Sequence, residues 1–144
     1  MIREIIKDTE VLSQKCKKVT DIKVAREIVQ DLIDTATHNN ETNEKQCCGL
    51  AANQIGINAR VVIVQMPNGK FRPFINPIIT NHSSVTVMST EGCMSLEGER
   101  TVKRYSTIEV MSQDMSGKNS KTVFNGFTAI ALQHEIDHTN GILI

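Results

Sequence analysis

Near its C-terminus the chain reads His134-Glu135-Ile136-Asp137-His138. On a helix, residues four apart stand one turn above each other on the same face. Two imidazoles so arranged can grip one metal ion, and Glu135 lies beside the ion's open side, where a carboxylate can move protons. The bland alternative is a pair of surface histidines that merely share the spacing. The flanking residues weigh against it, because Phe127, Ile130, Ala131, His134 and His138 form one stripe. Histidines that continue a buried apolar face need a partner there.

The HExxH pattern is shared with zinc proteases, which usually draw their third ligand from downstream. Here only residues 139–144 follow, and none is a His, Cys, Asp or Glu. A third protein ligand must therefore come from upstream. The best candidate is Cys93, in Glu91-Gly92-Cys93-Met94-Ser95. A lone cysteine is commonly just a small buried hydrophobe. The preceding glycine, and the polar residues that interrupt a strand pattern here, favour a ligand. One thiolate and two imidazoles leave a fourth position open for water. Cys16 sits on a charged segment, whereas Cys47 and Cys48 remain competitors. A further element, Gly49-Leu50-Ala51-Ala52-Asn53-Gln54, is small and glycine-containing, which suits tight packing or close backbone approach.

Taken together, these segments resemble the peptide deformylase family. That family carries, in order, a G-x-G-L-A-A-x-Q turn, an E-G-C-x-S segment and Q-H-E-x-D-H on a helix. Here they read Cys47 to Gln54, Glu91 to Ser95 and Gln133 to His138, and Ile75-Asn76-Pro77 and Arg100 match as well. The resemblance covers nearly the whole chain. It implies a hydrolase that removes the N-formyl group from the formyl-methionine of nascent polypeptides and releases formate. The implied cofactor is one divalent ion on Cys93, His134 and His138: Fe(II) first, with Ni(II), Co(II) or Zn(II) able to replace it. Glu135 would take a proton from an ion-activated water and pass it to the leaving amine. The Gln54 amide and the Met94 backbone N–H would stabilise the oxyanion. The peptide would lie as an added strand against Cys48 and Gly49. Its methionine side chain would enter a pocket of Phe127, Ile130, Ala131 and the aliphatic part of His134, with Arg100 contacting the peptide further along. Glu91 and Asp137 would orient the ligands. The expected partners are the formyl-methionyl peptide and, transiently, the ribosome.

The sequence also departs from the pattern. Cys47 stands where the first motif begins with glycine, and would be strained if that position needs a positive φ. Met94 replaces the usual Leu, a nearly isosteric swap at a position whose role uses backbone. The chain stops six residues after His138, where many relatives continue, which suggests a minimal form. The competing readings are a deformylase-like paralogue with another substrate or little activity, a zinc endoprotease, and a thiol- or metal-binding non-enzyme built on Cys47-Cys48.

The elements that must position these residues follow from periodicity. Ile22, Ala25, Val29, Leu32, Ile33 and Ala36 predict a helix capped by Thr20 or Asp21 and ended by Asn39 and Asn40. A polar loop is expected over residues 41–46. Strands are expected at residues 61–64, 84–89, 107–113 and 121–124, with turns at Asn68-Gly69 and residues 114–117. Pro73 and Pro77 confine residues 74–79 to a strand end or edge. A final helix begins near Gly126 and is apolar on nearly all sides, hence buried. The class is α+β: mostly antiparallel sheets around a buried C-terminal HExxH helix, with one N-terminal helix.

The 144 residues suit a single domain over 1–144, with ordinary apolar (40%) and charged (22%) fractions. At 3% aromatic, the core must be built from Ile, Val, Leu and Met. Sixteen basic and sixteen acidic side chains cancel, so no net charge draws the chain to nucleic acid or anionic lipid. The cluster Lys15, Lys17 and Lys18 reads as a solvated face. The opening MIREIIKDTE has no apolar h-region, and the longest apolar run is far short of a membrane span. The expectation is a soluble, cytoplasmic protein whose four cysteines are free thiols or ligands rather than disulfides.

Overall fold

In the computed structural model, which describes residues 1–42 and 45–144, a single helical turn, α1 (Thr9–Leu12), precedes the long helix α2 (Ile22–Thr42). Asp21 is the cap: its carboxylate accepts from the Lys23 N–H at 2.9 Å. Ala25, Ile28, Val29, Leu32 and Ala36 form the buried stripe. The helix does not end at Asn39 and Asn40 as expected. Both side chains bind the returning chain instead. Asn39 donates to Lys45 O at 2.9 Å, and Asn40 exchanges two hydrogen bonds with the Cys47 backbone, at 2.7 and 3.1 Å. With their amides so engaged, they no longer compete for the local backbone that would stop a helix. The centre of the expected loop, Asn43 and Glu44, lies outside the described residues.

Among the described residues, β1 (Gly49–Ala51), β2 (Val61–Gln65), β3 (Phe71–His82), β6 (Thr107–Gln113) and β7 (Asn119–Asn125) form an antiparallel sheet in the order β1-β2-β3-β6-β7. The strands β4 (Thr86–Gly92) and β5 (Glu99–Tyr105) pair as a separate ribbon. β5 has no counterpart in the sequence expectations. Its apolar content is one Val and one Tyr, too little to register as alternation.

The edge assignment for residues 74–79 is corrected. They belong to β3, which is twelve residues long and central. The prolines are tolerated because β3 pairs piecewise. Residues 71–75 pair with β2, whereas the β6 register breaks between Ile75 and Ile78. The Asn76 N–H bonds to Arg60 O at 2.7 Å, so alternation along the pair turns the Pro73 nitrogen away from β2. Pro77 lies in the register break, beside Asn76 with its φ of 52°. Neither proline removes a ladder bond, which is the condition the edge rule protects.

β2 is buried on both faces. Val61 and Ile63 join the core under α2 with Leu32, Leu50 and Ile75. Val62 and Val64 join the opposite core with Phe74, Ile108, Leu132 and Ile136. The last two belong to α3 (Gly126–Thr139), the HExxH helix. Ala129, Leu132 to Ile136, His138 and Thr139 are buried, but the first turn of α3 is open and Phe127 is 64% exposed. Burying a side chain such as Leu132 fully is worth about 1.5–3 kcal/mol. That packing fixes the face of α3 that carries the histidines. No helix among the described residues is long and apolar enough to cross a membrane.

Candidate metal centre

His134 and His138 stand one turn apart on α3, with ring centroids 5.0 Å apart. Cys93 reaches them from the turn that follows β4, and its Sγ lies 3.5 Å from His138 Nε2. The three ligand atoms all fall within 4.8 Å of one another, and all three residues are buried. Among the described residues this is the one group of three or more His, Cys, Asp or Glu side chains close enough to share an ion. Cys47 and Cys48 do not join it. Cys47 packs in the core under α2 and donates its thiol to Gly49 O at 3.2 Å.

The electrostatics of the cluster suit a cation. Burial pushes the Cys93 thiol up, but hydrogen bonds to His134 and His138 outweigh it and bring the thiol well below its ordinary range. Burial pushes His134 down, yet the Glu135 charge and the Cys93 and Glu91 hydrogen bonds raise it. Negative charge thus collects around the imidazoles, and a divalent cation answers it as a proton does. The donor set, one soft thiolate and two imidazoles, is one that transition metals accept. By contrast, burial and the Glu135 charge push the Cys47 thiol up to about 12, which keeps it protonated and inert.

Behind the ligands lies a charged network. Glu91 accepts from His134 Nδ1 at 3.0 Å. Arg104, on β5 and 6% exposed, donates twice to Glu91, at 2.7 and 2.8 Å, and once to Asp137 at 2.6 Å. Burial raises the Glu91 carboxyl, but the Arg104 and His134 hydrogen bonds prevail and hold it at about 2. Sequence reasoning missed Arg104. The signal was the pair of carboxylates expected to orient the ligands, Glu91 and Asp137, which together call for a counter-charge. It also missed Asn53, whose amide donates to His138 O at 2.9 Å.

Gln54 sits in a 3-10 turn (Ala52–Ile55) directly after β1. Its Oε1 accepts from the Ala51 N–H at 3.0 Å, which points Nε2 at Ser95 Oγ (3.1 Å) and Cys93 Sγ (3.6 Å). Glu135 is buried, and its Oε1 has no hydrogen-bond partner among the described residues. Burial raises its carboxyl above the ordinary range. Gly49 lies against it so closely that a Cβ there would fall 2.7 Å from Glu135 Oε2, so any other residue forces the carboxylate or the strand to shift.

A cleft of about 310 Å³ opens onto these groups. Cys48, Gly49, Met94, Phe127, Ile130 and Ala131 line it, beside Gln54, Glu91, Cys93, His134 and Glu135. Asp137 and Arg100 do not line it. Arg100 is exposed on β5 and donates to Glu97 O at 3.4 Å. The strain feared at Cys47 is absent, since Asn76 alone among the described non-glycine residues has a positive φ.

Comparison with known proteins points the same way. Residues 2–144 match the family model described as Polypeptide deformylase. The chain is 43% identical over 144 residues to a peptide deformylase of Clostridium beijerinckii, covering 100% of both. Among solved structures it is similar to the class I type b peptide deformylase from Acinetobacter baumannii bound to Met-Ala-Ser. The identity is 28%, the TM-score 0.88, and the match covers 99% of this chain and 97% of that one. A peptide deformylase from Legionella pneumophila gives 30% identity and a TM-score of 0.88, over 99% and 83% of the two chains.

Proposed function

The chain belongs to the polypeptide deformylase family and is a metal-dependent hydrolase that removes the N-formyl group from nascent peptides, and from that premise we propose that Cys93, His134 and His138 hold its ion while Glu135, Gln54 and Met94 do the chemistry around it. One observation carries the assignment: a buried carboxylate, with one oxygen free of any partner among the described residues, stands beside a thiolate–imidazole cluster at the floor of a cleft. When bound, a divalent ion supplies the Lewis acidity that makes water a nucleophile near neutral pH. Fe(II) is the proposed ion, and Ni(II), Co(II) and Zn(II) suit the same donors.

Glu135 receives the proton of the attacking water and returns it to the peptide amine as the C–N bond breaks. Its raised carboxyl favours that exchange, because a stronger base is a better acceptor and the site holds no competing hydrogen bond on Oε1. The Gln54 amide, already aimed by the Ala51 N–H on its oxygen, donates to the oxyanion that develops on the formyl oxygen. The Met94 backbone N–H is the second donor. Formate and a free N-terminal methionine leave.

The Acinetobacter protein binds Met-Ala-Ser. Here the formyl-methionyl peptide runs as an added strand along Cys48 and Gly49, which suits the edge position of β1. Its methionine side chain packs on Ile130, Ala131 and the exposed ring of Phe127, and Arg100 meets the peptide beyond the cleft. Glu91 orients His134 directly, and Asp137 supports it by holding Arg104 against Glu91. Residues 1–144 work as one domain, since the site draws on residues 48 to 138. Translation supplies the substrate, so the working compartment is the cytoplasm and contact with the ribosome is transient. The test is formate release from formyl-Met-Ala-Ser by oxygen-free protein loaded with Fe(II) or Ni(II). Release that stops on chelation supports the reading. Silence from protein carrying one ion per chain refutes it in favour of a paralogue with another substrate.

A further inference from the structure

The cleft has two walls that are distant in sequence. One runs from Lys45 to Gly49, and the other is the turn after β4 that carries Cys93. We propose that Lys45 is a positioning residue that ties the peptide-binding wall to the metal-ligand turn, so that one side chain sets both ion retention and peptide affinity. This rests on the metal-dependent reading above.

The Lys45 ammonium donates to the carbonyl of Cys93 itself, and to Leu96 O at 3.4 Å. Its stem passes Gly92 closely, with Cε 3.8 Å from where a Cβ at Gly92 would lie. Among the described residues no carboxylate pairs with it. Its charge is therefore directed at two carbonyls of one turn, and hydrogen bonds from a charged donor are stronger than neutral ones. The root of the side chain is equally held. Lys45 O accepts from Asn39 at 2.9 Å, and Asn40 clasps the Cys47 backbone two residues on. A path of hydrogen bonds thus leads from Asn39 near the end of α2, through Lys45, to the backbone of a metal ligand. On its other side that turn is held by Gln54, through Ser95 Oγ and Cys93 Sγ. Without Lys45 the Cys93 turn keeps the β4–β5 pairing and its Gln54 contacts but loses the charged tie to the opposite wall of the cleft.

An ordinary solvated lysine would leave neither ion nor peptide binding changed. The experiment compares Lys45→Met, which keeps length and loses charge, with Lys45→Arg, which keeps the donor. Nickel-loaded protein is challenged with EDTA and the remaining nickel is followed over time. KM and kcat are measured on formyl-Met-Ala-Ser, and thermal unfolding checks the fold. Expected for Lys45→Met is ion loss about tenfold faster, the scale of one charge-assisted hydrogen bond, with KM raised more than kcat falls. Lys45→Arg should restore most of both. Wild-type ion retention and KM in Lys45→Met would overturn the proposal. So would a collapse of thermal stability that Lys45→Arg repairs without repairing ion retention. If the wild type releases no formate while Lys45→Met still sheds nickel faster, the substrate reading fails and the positioning role stands.

Discussion

Arg104 grips Glu91 through two hydrogen bonds, and the same carboxylate takes His134 Nδ1 at 3.0 Å. A carboxyl held at about 2 is ionised at neutral pH and can only accept. The His134 proton must then lie on Nδ1, which leaves Nε2 free to face the ion. A strand residue with no contact to the ligand cluster thereby sets the tautomer of one ligand.

Arg104→Met should therefore damage stability and ion binding together. It leaves the buried Glu91 and the half-buried Asp137 without their cation, a loss of about 3–5 kcal/mol for the broken buried Glu91 pair. Denaturant unfolding of metal-free protein reads the first effect, and nickel retention against EDTA reads the second. Unchanged unfolding would show that water, rather than Arg104, compensates those carboxylates.

The same network gives the metal-free protein an acid limit. The folded Glu91 carboxyl lies below its ordinary 4.5, at about 2. Its contribution is complete above pH 4.5 and is lost as pH falls through about 2. The size is of order 3 kcal/mol. Unfolding free energy measured from pH 5 to 2 should fall more steeply for the wild type than for Glu91→Gln, and parallel curves would refute the linkage.

Glu135→Gln should lower kcat by at least about 10²-fold, the usual share of a positioned proton carrier, while one ion per chain remains bound. Metal analysis and single-turnover formate release separate the two. Near-normal turnover would move the proton transfer to another group.

Gly49→Ala tests the contact on the other side of that carboxylate. A Cβ 2.7 Å from Glu135 Oε2 cannot be accommodated unless Glu135 moves. Stability should fall by about 1–3 kcal/mol from overpacking. Activity should fall further, about 10²-fold, because a displacement near 1 Å suffices for that loss. Full activity with intact stability would mean the loop yields instead of the base.

Much of the site was legible because its chemistry is local in sequence. His134, Glu135 and His138 share one helix and their spacing orders them, whereas Cys93 and Gln54 lie in short motifs whose roles came from the family resemblance. The strand at residues 107–113 and the helix from Gly126 were equally plain, since each buries a regular face. What escaped is what only tertiary pairing creates. Arg104 looks like any strand arginine until β5 pairs with β4 and turns it inward toward Glu91. Asn39 and Asn40 look like a helix stop until the returning loop offers them backbone. Pro73 and Pro77 look like edge residues until β3 is seen to change partners between them.

β2 gives alternate residues to the core beneath α2 and to the core beneath the metal helix. The two layers therefore cannot melt separately without tearing that shared strand. An ion taken up on one side of the sheet is felt by mass action on the other. The melting of α2, on the opposite face of the sheet from the metal helix, should therefore shift with ion occupancy.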